Sequence, residues 1–337
     1  MRFHDLGSAL GLAAAGLLLA SPALAQVKVD PKIPDYKAVQ GVSGSIKSAG
    51  SQTMSNLMTL WVEGFKSFYP SVVASAETKG SGSAPPALIQ GAASFGPMSR
   101  PMNDKEIADF DKAFGYKPTG VAVAIDMLSV YLHKDNPLKS LTLAQVDAIF
   151  SKARARGNDK DILRWGDLGL TGEWADKPIS LYGRDSASGT RDYFKEHVLA
   201  KGDFKDTVKE LVGTTAVVQA VGSDKFGIGY GGFGALTADV RAVPLAADAK
   251  AAPVTPSADN AYNGTYPLSR FLYIYVNYKP GTALDPLRLE FLKYVLSQKG
   301  QGVVVKGEYF PLTAPLVVSN LKAIGVTATV EAGAPAK

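Results

Sequence analysis

Two stretches of this chain constrain its fold more than any other feature: VAVAIDMLSVYL at residues 121–132 and YPLSRFLYIYVN at residues 266–277. Each is long and β-rich against the usual strand of about five or six residues. Between them, short strand and helix patterns alternate. Two long strands flanking a central α/β segment imply a hinge, with the chain running from one lobe into a second and back.

The same rhythm precedes the first long strand. Structure should start near Ile46, after an extended leader over Gln26 to Gly44. From Thr53 to Phe68 the apolar residues Leu57, Leu60, Trp61, Phe65 and Phe68 mark a helical stripe, stopped by Pro70. Val72 to Ala76 reads as a strand, GSGSAPP as a turn into a short helix, and Ala93 to Phe95 as another strand. A helix follows over Asn103 to Phe114. Within the central segment the pattern predicts a helix around Gln145 to Phe150, strands at Ile179 to Tyr182 and Gly227 to Tyr230, and a helix at Asp192 to Val198. Residues 246–264 read as a surface loop, and helices near Pro286 to Leu296 and Leu316 to Ile324 close the chain. This is β-α-β alternation, and the fold class it predicts is α/β with two lobes.

Composition narrows the setting. With 337 residues, 46% of them hydrophobic and 20% charged, the chain can fill two domains. Its first stretch, MRFHDLGSALGLAAAGLLLASPALA, has Arg2 in a short polar start, a short apolar run from Ala9 to Ala20, and Ala23-Leu24-Ala25 as a cleavage site. Residues 1–25 are therefore expected to be a secretory signal, and the mature protein exported and soluble. No later segment approaches the roughly 20 apolar residues of a membrane span. Cysteine is absent. That excludes a disulfide framework, a thiol nucleophile and a thiolate metal site, and the lack of a cysteine near the cleavage site argues against a lipid-anchored form. The net charge of +5 is spread along the chain, which mildly favours small anionic ligands and does not suggest nucleic acid.

Four strand-to-helix junctions carry the chemistry. They are Gly50-Ser51-Gln52-Thr53, Gly80-Ser81-Gly82-Ser83-Ala84-Pro85-Pro86, Gly96-Pro97-Met98-Ser99-Arg100, and Arg184 with Ser188-Gly189-Thr190. Helix N-termini leave about four N–H groups unpaired and carry partial positive charge, so they attract anions. Hydroxyls at such positions also cap helices, and any one junction can be read that way. Four together describe an anion site lined by helix ends, with the Arg184 fork supplying planar charged donors. Enzymatic readings find little support. His4, His133 and His197 are the only histidines, RDSASGT lacks the G-x-S-x-G elbow, and no G-x-x-x-x-G-K-[ST] loop occurs. Binding without catalysis fits best, with no cofactor or metal, and an exported phosphatase is the rival from another class.

In their order and spacing, GSQT before a Trp-bearing helix, GSGSAPPAL, FGPMSRPM, VAVAIDMLSVYLHKDNP, LTLAQVDAIF with RWGDLG, and GRDSASGTRDYF resemble the phosphate-binding proteins of Pst-type ABC importers. The resemblance runs over roughly Ile46 to Ile324. It implies the type II periplasmic-binding-protein fold, with two lobes joined by two crossing hinge strands and closing over phosphate. The lobes expected are residues 26–124 plus 268–337, and residues 125–267. It implies phosphate contacts within Ser51, Gln52 and Thr53, at Ser81 and Ser99, and at Arg184, Ser188, Gly189 and Thr190. Arg100 stands as a supporting group, and Asp185 as one that orients Arg184 by a salt bridge. The implied partners are inorganic phosphate and the membrane permease subunits of an importer, with the binding protein itself a monomer. One departure matters. Some members have an aspartate where this chain has Ser99, and that carboxylate accepts the proton of hydrogen phosphate. Ser99 can accept the bond but does not repel a fully ionised anion, so sulfate, molybdate and tungstate stay open as alternatives.

Overall fold

A computed structural model describes residues 27–327; the expected signal segment and its cleavage after Ala25 lie outside the described residues. Strand β1 (Ser45–Ala49) leads into helix α1 (Ser55–Lys66), and β2 (Val73–Glu77) then runs parallel to β1. In α1 the stripe of the sequence becomes a buried face of Leu57, Met58, Trp61 and Phe65. The Trp61 indole Nε1–H donates to the Gly300 carbonyl at 2.8 Å, which satisfies its one polar atom inside the core. Next come α2 (Ala84–Ile89), with Pro85 and Pro86 in its first turn, then β3 (Gly96–Met98) and α3 (Asp104–Phe114). Prolines fit a first turn because the N–H groups they lack would have no helical partner there. Asn103 and Glu106 cap α3 reciprocally.

The long segment forms the 15-residue strand β4 (Thr119–His133), buried without a break from Val121 to Leu132. After it come β5 (Leu141–Thr142), α4 (Leu143–Phe150), β6 (Ser180–Arg184), α5 (Gly189–His197), β7 (Lys209–Leu211), α6 (Thr214–Ser223) and β8 (Gly227–Gly232). Then β9 (Val240–Ala242), β10 (Leu245–Ala246) and α7 (Ala258–Tyr262) lead to β11 (Ser269–Val276) and the closing helices α8 (Pro286–Val295), α9 (Gln298–Lys306) and α10 (Ala314–Ala323). The main sheet runs β3-β11-β4-β8-β6-β7, with β9 also on β4. Strand β4 belongs to both halves of it. From Thr119 to Met127 it pairs antiparallel with β11, and from Leu128 to Leu132 with β8. Both strand faces are covered, which is why the segment reads as a continuous apolar run.

Three local expectations change. Residues 246–264 contain the one-turn helix α7, capped by Ser257, whose Oγ accepts the Asn260 N–H. Helix α5 starts three residues before the expected Asp192, because Ser188 caps it. Helix α6, TTAVVQAVGS, was not expected at all. Its β-branched residues carry weak helix propensity, and burial of Val217, Val218 and Val221 against the sheet overrides that preference. The leader segment has neither strand nor helix, yet it is anchored: the Tyr36 hydroxyl donates to Glu290 of α8 at 2.8 Å. Among the described residues no helix is long and apolar enough to cross a membrane.

Candidate anion-binding site

The four junctions meet. Ser51 follows β1 and its backbone N–H donates to Pro97 of β3 at 2.8 Å, which holds the first and third junctions side by side. Ser81 Oγ accepts the Ser99 N–H at 3.0 Å and lies 3.3 Å from Ser99 Oγ, tying the second junction to the third. Opposite them stands the N-terminus of α5. Thr190 Oγ1 is 3.0 Å from Thr53 Oγ1. A Cβ on Gly189 would stand 2.2 Å from Ser81 Oγ and 2.8 Å from Ser99 Oγ, so only glycine lets the walls approach. Gly80 is equally constrained. Its φ is +108°, and a Cβ there would lie 2.2 Å from the Ala187 carbonyl oxygen.

Arg184 closes one side from the end of β6. It is 1% exposed, and its Nη1 donates to Thr214 Oγ1 at 2.9 Å while Nη2 donates to Gln52 Oε1 across the cleft. Among the described residues its Nε has no partner, and neither has the buried Ser51 Oγ. Burial pushes the guanidinium below its usual pKa; neighbouring Asp185 raises it in part, and the positive charge of Arg270 adds to the lowering. The group stays charged even so. The neutral Gln52 and Thr214 thus hold a cation that, among the described residues, no carboxylate bonds.

The expected Asp185–Arg184 salt bridge does not form. Asp185 Oδ1 instead accepts the Ala187 N–H at 3.0 Å, an Asx turn that shapes the loop before α5, and neutral groups orient Arg184. Arg100 has the opposite environment. Both of its Nη atoms reach Glu106 carboxylate oxygens, and Nε donates to Asp192 of α5 at 2.8 Å. Burial alone would lower its pKa, but Glu106 and then Asp192 outweigh that and raise it. Arg100 is a strut across the cleft rather than a free donor. Ser188 keeps the capping role, its Oγ accepting the Arg191 N–H at 3.3 Å. That leaves the N–H groups of Gly189 and Thr190 at the helix start without helical partners.

Two residues escaped the sequence reading. Asp126 of β4 and Arg270 of β11 form a buried ion pair beneath Thr190, with Arg270 Nε and Nη2 at 3.0 and 2.7 Å from Asp126 Oδ2. Arg270 Nη2 also donates to Thr190 Oγ1 at 2.9 Å. The signal was present, since each is the only charged residue in its long β-rich stretch.

A cluster of helix N-termini and hydroxyls, brought together by two sheet halves that share long strands, defines the class of extracellular-type solute-binding folds, and the family model of the PBP superfamily domain matches residues 36–299. The phosphate-binding protein PstS of Pseudomonas aeruginosa is 51% identical over 326 residues, covering 97% of this chain and all of the relative. The chain belongs to this family of PstS phosphate-binding proteins. A Clostridium perfringens protein assigned as a phosphate ABC transporter substrate-binding protein, solved with bound phosphate, superposes with a TM-score of 0.66 at 26% identity, covering 80% of this chain and all of that one. An ABC-type phosphate transport receptor from Vibrio cholerae shares the fold, with a TM-score of 0.63 at 22% identity over 79% of this chain and all of its own.

Proposed function

We propose that this protein binds inorganic phosphate outside the cytoplasm and delivers it to the permease of an ABC importer, without turning it over. The observation that carries the reading is Arg184: a buried cation with an unpartnered Nε, whose guanidinium bonds the neutral Thr214 and Gln52 and, among the described residues, no carboxylate. The 51% identity to a phosphate-binding protein supports the choice of anion. In this reading one lobe, residues 26–124 plus 268–337, presents Ser51, Gln52, Thr53, Ser81 and Ser99, and the other, residues 125–267, presents Arg184, Ser188, Gly189 and Thr190. The change of β4's partner from β11 to β8 between Met127 and Leu128 supports a boundary close to that division. Secretion through a cleaved signal over residues 1–25 into the periplasm completes the reading.

Hydrogen bonds to a charged group contribute roughly 1.5 to 3 kcal/mol each. Three or four beyond the cost of ordering reach micromolar affinity, about −8 kcal/mol. Closure follows because contacts such as Thr53 to Thr190 and Arg100 to Asp192 span the cleft, so an anion bridging both walls favours the shut state. Calorimetric titration with phosphate, sulfate and molybdate tests the proposal. Phosphate should bind at micromolar concentration or below and more tightly than the others; tighter binding of sulfate or molybdate would reassign the anion, and phosphatase turnover by the purified protein would overturn the non-enzymatic reading.

A further inference from the structure

The cluster holds more positive charge than its four junctions provide. Arg270 rises from β11 on the hinge, with a side chain only 2% exposed, and its partner Asp126, on the other hinge strand, is 1% exposed. A buried ion pair is costly to desolvate and seldom outperforms apolar packing. Its placement is therefore informative. Both charges interrupt otherwise apolar strands, and the pair touches the α5 wall through Thr190 Oγ1, itself 3.0 Å from Thr53 Oγ1.

The guanidinium is only partly used. Nε and Nη2 are taken by Asp126 and Thr190, whereas Nη1 is buried with no hydrogen-bond partner. A buried charged donor left unsatisfied is expensive unless something accepts from it. One guanidinium width separates this atom from the nitrogen that bonds Thr190, so it lies at the α5 N-terminus. The face of the guanidinium sits over Tyr193, 5.3 Å from the ring centroid, which fixes its plane. Arg184 feels the positive charge of Arg270 as a force lowering its own pKa, so the two cations share one field. An anion between them relieves that repulsion.

We infer that Arg270 is a second anion-contacting guanidinium of the phosphate site, donating from Nη1, and that Asp126 positions it. This rests on the phosphate-binding reading above and adds to it. The bound anion is then contacted by two arginines, and the one carboxylate that bonds either guanidinium is supplied by the hinge strand β4 rather than by the Ser99 junction. Arg270 also makes ligand contact and hinge geometry one problem, because the donor is carried by a strand about which the halves are joined.

The test is a set of phosphate and sulfate titrations on the parent, on Asp126→Asn/Arg270→Gln, on Thr190→Val, and on the triple variant. The paired substitution removes both charges together, so no lone buried charge threatens folding, and circular dichroism melts check that each variant is folded. The paired variant should bind the anion at least about tenfold more weakly than the parent, the loss of one charge-assisted bond. The triple variant should bind at least about tenfold more weakly than Thr190→Val. If the triple variant matches Thr190→Val, Arg270 acts only by holding Thr190 and the inference is overturned. A paired variant that binds like the parent overturns it too. A parent that binds neither anion removes the phosphate reading as well, which separates that failure from this one.

Discussion

Arg100 and Arg184 are both arginines at the end of a sheet strand or just beyond it, both are buried, and both reach across the same cleft, yet they differ in one respect. Arg100 meets Glu106 and Asp192, two carboxylates. Arg184 bonds a glutamine and a threonine through its guanidinium and, among the described residues, no carboxylate. A buried arginine matched by acids is scaffold, because its charge is already compensated. One surrounded by neutral acceptors is a receptor, since the missing counter-charge is what a ligand brings. Arg270 falls between them, with a single carboxylate oxygen and one free donor.

The comparison breaks most directly at Arg184. Arg184→Ala should weaken phosphate binding by about 100-fold or more, because two or three charge-assisted bonds vanish. The melting temperature of the ligand-free protein should hold steady or rise, since an uncompensated buried charge is removed. A fall in melting temperature as large as that of Arg100→Ala would show Arg184 to be scaffold after all. Arg100→Ala should give the reverse profile: a loss of about 1 to 2 kcal/mol in stability, discounted because Asp192 is 37% exposed, and an affinity change below about tenfold. Thr190→Val removes the hydroxyl that joins Thr53 to Arg270, and should weaken phosphate about five- to tenfold in calorimetry.

The smallest effect concerns His197, whose ring lies 4.1 Å from that of Tyr193. His197 is exposed as a residue, but packing of its ring on Tyr193 partly desolvates the imidazole and pushes it below the usual pKa of 6.5; Glu196 opposes this, while Arg156 and Arg270 reinforce it. The unfolded chain therefore takes up the proton first. His197 contributes stability that is present above pH 6.5 and is lost as pH falls through 6.5 toward the folded value. Melting curves of His197→Gln should lose part of that acid dependence, and an unchanged pH profile would show that the imidazole is not desolvated.

Much of the architecture was legible because period and punctuation agree. The stripe ending at Pro70 became α1, and the 121–132 stretch became β4 with both faces covered. Helix α6 was illegible for a physical reason, since TTAVVQAVGS has the β-branched content of a strand and becomes helical only where Val217, Val218 and Val221 can be buried together. The junctions were legible as a set, since glycine, hydroxyl and helix start recur in each. Their pairing was not. That Ser81 bonds the Ser99 N–H, that Gln52 takes Arg184, or that Arg100 has two acids follows from contacts between residues 18 to 132 positions apart or, for Glu106, from the direction of one turn.

The sequence by itself determined the alternation of strands and helices, the two long crossing strands and the chemistry available at four helix starts, because these depend on local periodicity and on residue type. Tertiary structure alone decided which charges are balanced. Asp185 adjoins Arg184 in the chain but turns to its own loop, whereas Asp126 is paired with Arg270 from 144 residues away. Charge compensation is set by distance in space under low dielectric, and chain proximity does not fix it.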